Sequence, residues 1–249
     1  MNWEYISGVK LAVSVEKGSY LNELPAVSWL THQEALNFTR PVTFFVGENG
    51  TGKSTLLEAL AVASGFNAEG GTRNFTFSTA STHSELHRHL RVIKRAYPKD
   101  GFFLRAESFY NAASYIDEID QGPSFQAPVI TSYGGKSLHA QSHGESFLAL
   151  VQNRFGGNGL YLLDEPEAAL SPNRLMTLLV SIRDLVKRNS QFIIVTHSPI
   201  LMAYPDAEIL EFSQKGIEPV PYRQTEHYQL TRRFLENPEK MLKYLLEEE

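Results

Sequence analysis

One eight-residue segment limits the fold of this chain more than any other: residues 47–54 read GENGTGKS. The residues before it, PVTFFV at 41–46, are apolar, β-branched and aromatic, which is typical of a buried strand. The residues after it, STLLEALAVA at 54–63, favour a helix that ends at Ser64 and Gly65. A strand, a glycine-rich loop and a helix in this order predict a phosphate-binding loop.

This loop suits a phosphate anion for physical reasons. Glycines let backbone amides approach an anion closely, and the helix N-terminus adds the positive end of its dipole. Lys53 is predicted to reach the β- and γ-phosphates of a nucleotide, and the Ser54 hydroxyl to bind Mg²⁺. The residues of this segment that are predicted to contact the nucleotide are Gly47, Glu48, Asn49, Gly50, Thr51, Gly52, Lys53, Ser54 and Thr55.

The composition is that of a soluble globular protein. The chain has 249 residues, of which 42% are hydrophobic and 20% charged, enough for one large α/β domain or two small ones. No apolar stretch has the length of a membrane span, and the polar N-terminus lacks a signal-peptide core, so we expect a cytoplasmic protein. The absence of cysteine excludes disulfides, zinc-thiolate sites and cysteine nucleophiles. The net charge of −5 argues against a broadly basic nucleic-acid binder, although a local basic groove remains open.

Strand-like and helix-like segments alternate along the chain, which predicts a mostly parallel sheet covered by helices. Residues 9–15 alternate as an antiparallel strand. Residues 84–97 predict a helix whose basic side carries Arg88, Arg91 and Arg95, either as a phosphate-contacting surface or as a solvated face. Further strands are predicted at 102–106, 160–163 and 191–196, and further helices at 145–155, 172–188 and 228–249.

Two carboxylates, Asp164 and Glu165, follow the apolar segment at 160–163. Ligands of open α/β sheets bind at the carboxyl ends of the strands, so both side chains are expected near the phosphate-binding loop. Asp164 is predicted to hold Mg²⁺ through water as the acidic partner of Ser54, and Glu165 to be the general base that orients the attacking water. An acidic turn that caps the next helix is the alternative interpretation.

Two more polar segments follow the same logic. His197 ends the buried segment at 191–196, so we expect it at the same sheet edge and in contact with the γ-phosphate, although a single His after a strand is often structural. The segment SHGES at 142–146 opens a predicted helix whose N-terminus can bind an anion. A serine cap followed by an acidic first turn explains the same residues.

The ordered motifs GENGTGKS, SHGES, LYLLDEP, AALS and VTHS resemble the head of an ABC-type ATPase over about residues 40–212. The signature segment, QSHGE at 141–145, differs from the LSGGQ that is usual in ABC transporters and is closer to the SMC, RecF and OLD-like branch. The chain most resembles the small stand-alone bacterial ATPases termed AAA family. About ninety residues separate Lys53 from Ser142, which leaves no room for a long coiled-coil arm.

The resemblance implies ATP and Mg²⁺ as ligands, ATP hydrolysis and an ATP-dependent homodimer. Residues Ser142, Gly144 and Glu145 of one head would then face the γ-phosphate held by the other head. Glu107 would replace a Mg²⁺-sensing glutamine, or lie at the surface, and Arg73 would contact the nucleotide, or be a solvated loop residue. The implied catalytic residues are Lys53, Glu165 and His197, and the implied metal ligands are Ser54, Asp164 and Glu107.

A single ABC-type ATPase domain is expected over residues 1–249. It would have a core lobe at about 1–107 and 145–225, a helical lobe at about 108–144 and a C-terminal helix at about 226–249. The expected role is an ATPase switch in nucleic-acid maintenance or defence, with DNA or a separate effector protein as partner. The alternatives are the nucleotide-binding subunit of a membrane transporter and a regulatory ATPase paired with a separate effector.

Overall fold

The computed structural model describes residues 3–73, 84–105, 131, 135 and 142–246. The strands in these ranges are β1 Ile6–Leu11, β2 Leu36–Asn37, β3 Val42–Gly47, β4 Leu90–Lys94, β5 Asp100–Arg105, β6 Gly159–Asp164, β7 Gln191–Val195, β8 Glu208–Ser213 and β9 Gly216–Pro219. The α-helices are α1 Pro25–Leu30, α2 Lys53–Ala63, α3 Leu86–His89, α4 His143–Arg154, α5 Pro172–Lys187, α6 Pro199–Met202, α7 Glu226–Glu236 and α8 Pro238–Leu246. Among the described residues, no helix combines the length and hydropathy that crossing a membrane requires.

Six strands form the main sheet in the order β5-β6-β7-β3-β8-β9. Neighbouring strands run parallel except at the β8–β9 hairpin, so the carboxyl ends of β3, β5, β6, β7 and β8 lie at one edge. The loop at 48–52 leaves this edge from β3, near the middle of the sheet, and leads directly into α2. The predicted fold class, a mostly parallel sheet flanked by helices with antiparallel N-terminal strands, is confirmed; the proposed helical lobe at 108–144 lies almost entirely outside the described residues.

The sheet is covered by apolar side chains on both faces. Along β3, Phe45 packs into one core with Leu56 and Leu60 of α2, whereas Phe44 packs into the other core. The second core contains Phe147 of α4 together with apolar residues of α5. Since successive strand residues point to opposite faces, helices α2 and α4 lie on opposite sides of the sheet.

A second, three-stranded antiparallel sheet has the order β2-β1-β4. The antiparallel strand predicted at 9–15 begins at Ile6 and ends at Leu11. The fully buried side chain of Gln191, at the start of β7, joins the two sheets. Its Oε1 accepts hydrogen bonds from the Tyr5 and Ile6 amides at 3.1 and 2.9 Å, and its Nε2 donates to the Ile6 carbonyl at 2.7 Å.

The helix predicted at 84–97 is wrong beyond its first turn. Only Leu86–His89 is helical, and Leu90–Lys94 forms β4, which pairs with β1. The β-branched residues Val92 and Ile93 favour a strand, and the pairing partner β1 supplies what the local pattern cannot show. The basic face of Arg88, Arg91 and Arg95 therefore does not exist as a helix face.

The C-terminal helix predicted at 226–249 is two helices, α7 and α8, divided at Asn237 and Pro238. Asn237 adopts φ −154° and ψ 70°, a non-helical conformation, because the residue before a proline is driven out of the helical region. Neither helix contains a buried residue, and large apolar side chains stay exposed along both. These side chains include Leu230, Leu235, Leu242, Leu245 and Leu246.

Replacing Gln191 by leucine should destabilise the fold, because the buried Tyr5 and Ile6 amides lose their acceptor while the side-chain volume is kept. We expect Gln191→Leu to lower the free energy of unfolding by about 2–4 kcal/mol, measured by urea denaturation. The exposed Gln33 provides the control, since Gln33→Leu should change the same free energy by less than about 0.5 kcal/mol. Equal effects of the two substitutions would contradict a bridging role for Gln191.

Candidate functional site

The loop after β3 depends on glycine for its shape. Gly47, Gly50 and Gly52 adopt φ values of 118°, 79° and 96°, in the left-handed region that side chains rarely enter. A Cβ at Gly47 would lie 2.1 Å from the carbonyl oxygen of Phe212 on β8. A residue other than glycine at position 47 would therefore prevent β3 from pairing with β8 there. Glycines thus allow the loop to turn sharply at the sheet edge and expose its backbone at positions 48–50.

The loop closes around the ammonium group of Lys53. The Lys53 side chain is buried, and its Nζ donates to the carbonyl oxygens of Gly47 at 2.8 Å and Glu48 at 2.6 Å. Burial lowers the pKa of Lys53, and the carboxylates of Glu165 and Asp164 oppose that shift. The Lys53 ammonium group thus adds a positive charge at the N-terminus of α2, where the backbone amides and the helix dipole also favour a phosphate anion.

Ser54 and Asp164 meet next to this cation. The Ser54 hydroxyl donates to Asp164 Oδ1 at 2.9 Å, so a hydroxyl oxygen and a carboxylate oxygen point to the same place. Hard oxygen ligands of this kind, one or two from the protein, are what Mg²⁺ uses in phosphate sites. The donor set therefore fits the ion that the sequence predicts.

Two charged residues that sequence reasoning missed support this pair. Arg105, at the end of β5, lies with its Nε 3.8 Å from Asp164 Oδ2 and donates from Nη1 to Glu58 Oε2 at 2.6 Å. Glu58, on the buried face of α2, also accepts from the Ser84 amide at 2.7 Å. A charged residue near the end of the strand predicted at 102–106 was the available signal for Arg105, because strand ends meet at this edge.

Glu165 and His197 face each other beside the loop. Glu165 adopts φ 49° and ψ 53°, a left-handed conformation that costs free energy in a non-glycine residue and recurs at functional sites. This turn brings Glu165 Oε1 to 3.6 Å from His197 Nε2. Burial lowers the pKa of His197, Lys53 lowers it further and Glu165 opposes both. His197 is therefore a neutral imidazole near neutral pH.

Glu167 fixes the backbone around His197. Its Oε1 accepts hydrogen bonds from the His197 amide and from the Thr196 hydroxyl, the latter at 2.8 Å. Burial raises the pKa of Glu167, while these hydrogen bonds oppose the shift. Sequence reasoning assigned no role to Glu167, because its partners are about thirty residues away along the chain.

His227, near the start of α7, is a further side chain that sequence reasoning missed. Its Nε2 lies 2.8 Å from Nδ1 of His197. The C-terminal segment carries no motif around His227, so only the three-dimensional structure connects it with the site.

The segment at 142–146 forms a capped helix start on the other side of the sheet. Ser142 and Glu145 make a capping box, and Arg174 of α5 lies 3.1 Å from Glu145 Oε1. A Cβ at Gly144 would lie 2.5 Å from Arg174 Nη1 and 2.8 Å from the Ala169 carbonyl oxygen, so glycine is required there. The structure shows the serine cap with its acidic first turn, and Ser142 is exposed; anion binding at this N-terminus stays a prediction.

The structure brings most of the predicted site residues together, but not all. Lys53, Ser54, Asp164, Glu165 and His197 converge at the carboxyl edge of the sheet. Arg73 lies elsewhere: its guanidinium carbon is 5.2 Å from the centre of the Phe66 ring, near the start of β5 and thus at the opposite edge. Glu107 lies outside the described residues.

Two family models match separate parts of the chain. The first, described as an AAA domain, matches residues 26–103. The second, also described as an AAA domain, matches residues 141–203, and its description names the AbiEii toxin and a type IV TA system. Together they cover the phosphate-binding loop and the segments that contain Ser142, Asp164 and His197.

Curated relatives include a ribose import ATP-binding protein and an ABC transporter ATP-binding protein. A ribose import ATP-binding protein of Bacillus cereus is 27% identical over 180 residues, which are 64% of this chain and 35% of the relative. An uncharacterised ABC transporter ATP-binding protein of Haemophilus influenzae is 27% identical over 68% of this chain and 69% of its own length. The matched part of this chain thus corresponds to about a third of the ribose import protein.

A solved structure shares the fold along nearly the whole chain. The protein cbiO1 of Clostridium perfringens, described as part of the ABC transporter complex cbiONQ, superposes with a TM-score of 0.53 at 17% identity, over 98% of this chain and 99% of its own. At this identity the likeness concerns the fold alone. The chain therefore shares the fold of this ABC transporter component, and the two AAA-domain models match separate segments of it.

Proposed function

We propose that this chain binds ATP with Mg²⁺ and hydrolyses the β–γ phosphoanhydride bond. The observation that carries the proposal is the convergence of Lys53, Ser54, Asp164, Glu165 and His197 at one sheet edge beside a helix N-terminus. Bound Mg²⁺, held by Ser54 and by Asp164 directly or through water, would neutralise charge on the β- and γ-phosphates.

Each side chain has a role that its surroundings support. The Lys53 ammonium has three N–H donors, of which two go to the carbonyl oxygens of Gly47 and Glu48, so the third can donate to a phosphate oxygen. Glu165 accepts a hydrogen bond from the attacking water and aligns it with the γ-phosphorus. His197 donates a hydrogen bond to a γ-phosphate oxygen, where negative charge is stabilised during transfer.

The site of one chain is half of the complete site in this proposal. Helix α2, which begins at the phosphate-binding loop, and helix α4, which begins at Ser142, cover opposite faces of one sheet. A second head that approaches the exposed loop can place its own Ser142, Gly144 and Glu145 opposite the γ-phosphate. ATP then joins two copies of the chain, and hydrolysis releases them.

Two processes are candidates for what this ATPase drives, defence and membrane transport. The AbiEii toxin and type IV TA system in the description of the second family model favour a role in defence, with a separate effector protein as partner. The transporter ATP-binding proteins among the relatives favour a nucleotide-binding subunit of a membrane transporter. The proposed DNA contact has lost its structural argument, since Arg91 lies in strand β4 rather than on a basic helix face.

Affinity capture from the native cell and ATPase assays with DNA at two salt concentrations separate these roles. Co-purification of a membrane permease supports the transporter role, and co-purification of a soluble effector supports the defence role. If DNA stimulates ATP turnover and a higher salt concentration weakens this stimulation, the result supports a role in nucleic-acid maintenance.

Removing the carboxylate of Glu165 should separate ATP binding from hydrolysis. We expect Glu165→Gln to reduce the ATP turnover rate by about 10²–10⁴-fold, because the amide is a much weaker base. ATP binding should persist, and an ATP-bound dimer should accumulate in analytical ultracentrifugation. The exposed Glu218 provides the matched control, and Glu218→Gln should turn over ATP at the parent rate. A Glu165→Gln protein that stays monomeric in saturating ATP contradicts the two-head site.

Because the chain contains no cysteine, the two-head site can be tested by introducing a pair of cysteines and cross-linking them. Asn49 is exposed at a position that the loop motif leaves variable, and His143 is exposed next to Ser142. In the Glu165→Gln background, Asn49→Cys with His143→Cys should give a dimer cross-linked by a bis-maleimide when ATP is present. Without ATP the cross-linked dimer should be absent on a denaturing gel. The control pair Asn49→Cys with Glu218→Cys should give no such band, and ATP-independent cross-linking would contradict the arrangement.

A further inference from the structure

The N-terminal turn of α7 reaches into the candidate active site through His227. The His227 ring lies 5.0 Å from the His197 ring, centre to centre, with an interplanar angle of 53°. The contact joins Nε2 of His227 to Nδ1 of His197 at 2.8 Å, so one nitrogen must donate and the other accept. The other nitrogen of His197, Nε2, faces Glu165.

The backbone before His227 is firmly held. Thr225, the N-cap of α7, is fully buried; its hydroxyl donates to the Tyr222 carbonyl at 2.8 Å and accepts from the Tyr228 amide at 3.3 Å. The rings of Tyr222 and Tyr228 pack with their centres 4.7 Å apart. His227 therefore meets His197 from a fixed direction rather than from a loose tail.

The surroundings decide which nitrogen carries the proton. Nδ1 of His227 is buried and, among the described residues, has no hydrogen-bond partner. If His197 donated to a neutral His227, this Nδ1 would have to carry a proton. A buried N–H group without an acceptor is rarer in proteins than a buried acceptor without a donor, and it costs free energy. The bare Nε2 of His197 would in addition direct its lone pair at the Glu165 carboxylate.

The reverse arrangement avoids both penalties. When His227 Nε2–H donates to His197 Nδ1, the His227 Nδ1 is, among the described residues, an unpaired acceptor instead of an unpaired N–H. The N–H of His197 is then on Nε2, directed toward Glu165 and the phosphate side of the site. The charged groups near the two rings are Lys53, Glu165, Glu211 and Glu226.

We propose that His227 is a positioning residue that holds His197 in the Nε2–H tautomer, ready to donate to the γ-phosphate. This inference rests on the proposed ATP hydrolysis. Burial lowers the pKa of both imidazoles, Lys53 lowers both further, and His197 also lowers the pKa of His227, so the pair stays neutral and the tautomer matters. The hydrogen bond made by one ring nitrogen sets the chemistry available at the other.

Two substitutions separate the hydrogen bond from the packing. His227→Phe keeps an aromatic ring but cannot donate, so we expect kcat to fall about tenfold while the KM for ATP stays within about twofold. His227→Gln retains an N–H donor near the same place and should recover kcat to within about threefold of the parent. The exposed His32 provides the control, and His32→Gln should leave both constants unchanged.

The tautomer itself is visible without turnover. Long-range ¹H–¹⁵N spectra of the parent protein should show His197, assigned with His197→Gln, protonated at Nε2, and this signature should be lost in His227→Phe. A parent spectrum with His197 protonated at Nδ1 overturns the proposal. In a double-mutant cycle, His227→Phe should add little to the loss caused by His197→Gln, because both remove the same donor.

The outcomes separate this inference from the proposed function. If the parent hydrolyses ATP and Glu165→Gln does not, but His227→Phe keeps the parent kcat, only the role of His227 is wrong. A raised KM, a lowered unfolding midpoint and no recovery by His227→Gln would also overturn it, as they describe a structural contact. If the parent protein shows no ATP turnover, the proposed function fails, while the spectra still decide the tautomer of His197.

Discussion

Burial of the main sheet on both faces is the constraint on which the rest of the structure depends. Strand residues such as Phe44 and Phe45 point into two separate apolar cores, so strand interiors have no place for an unpaired charge. Polar chemistry is thereby confined to the positions where strands end. Parallel pairing brings those ends to one edge, and Ser54, Asp164 and His197 come together although 143 residues separate the first from the last.

This constraint also explains which parts of the site the sequence could predict. Asp164 and His197 follow apolar runs directly, so local pattern and sheet geometry predict their location. Glu167 and His227 make contacts over thirty residues in sequence, and no local pattern records which partner each will meet. Arg105 is intermediate, since its place at a strand end was readable but its bonds to Glu58 and Asp164 were not.

Of the two errors in the predicted fold, one has the same origin and the other does not. Residues 84–97 space their apolar side chains in a way that suits a helix, yet Val92 and Ile93 pair with β1, which lies more than eighty residues earlier in the chain. Tertiary pairing outweighed the local pattern there. The break between α7 and α8, in contrast, follows from Pro238 itself, so a local rule was sufficient to predict it.

The hydrogen bonds of Lys53 have a consequence for the selectivity of ligand binding. The carbonyl oxygens of Gly47 and Glu48 hold the ammonium group at the place where a phosphate would meet it, and the glycine backbone is already turned. Most of the conformational entropy of ordering this loop is therefore lost when the chain folds rather than when the ligand arrives. A ligand would gain affinity from such a rigid cradle only if its oxygens match the fixed donors, so we expect the loop to distinguish anions by shape as well as by charge.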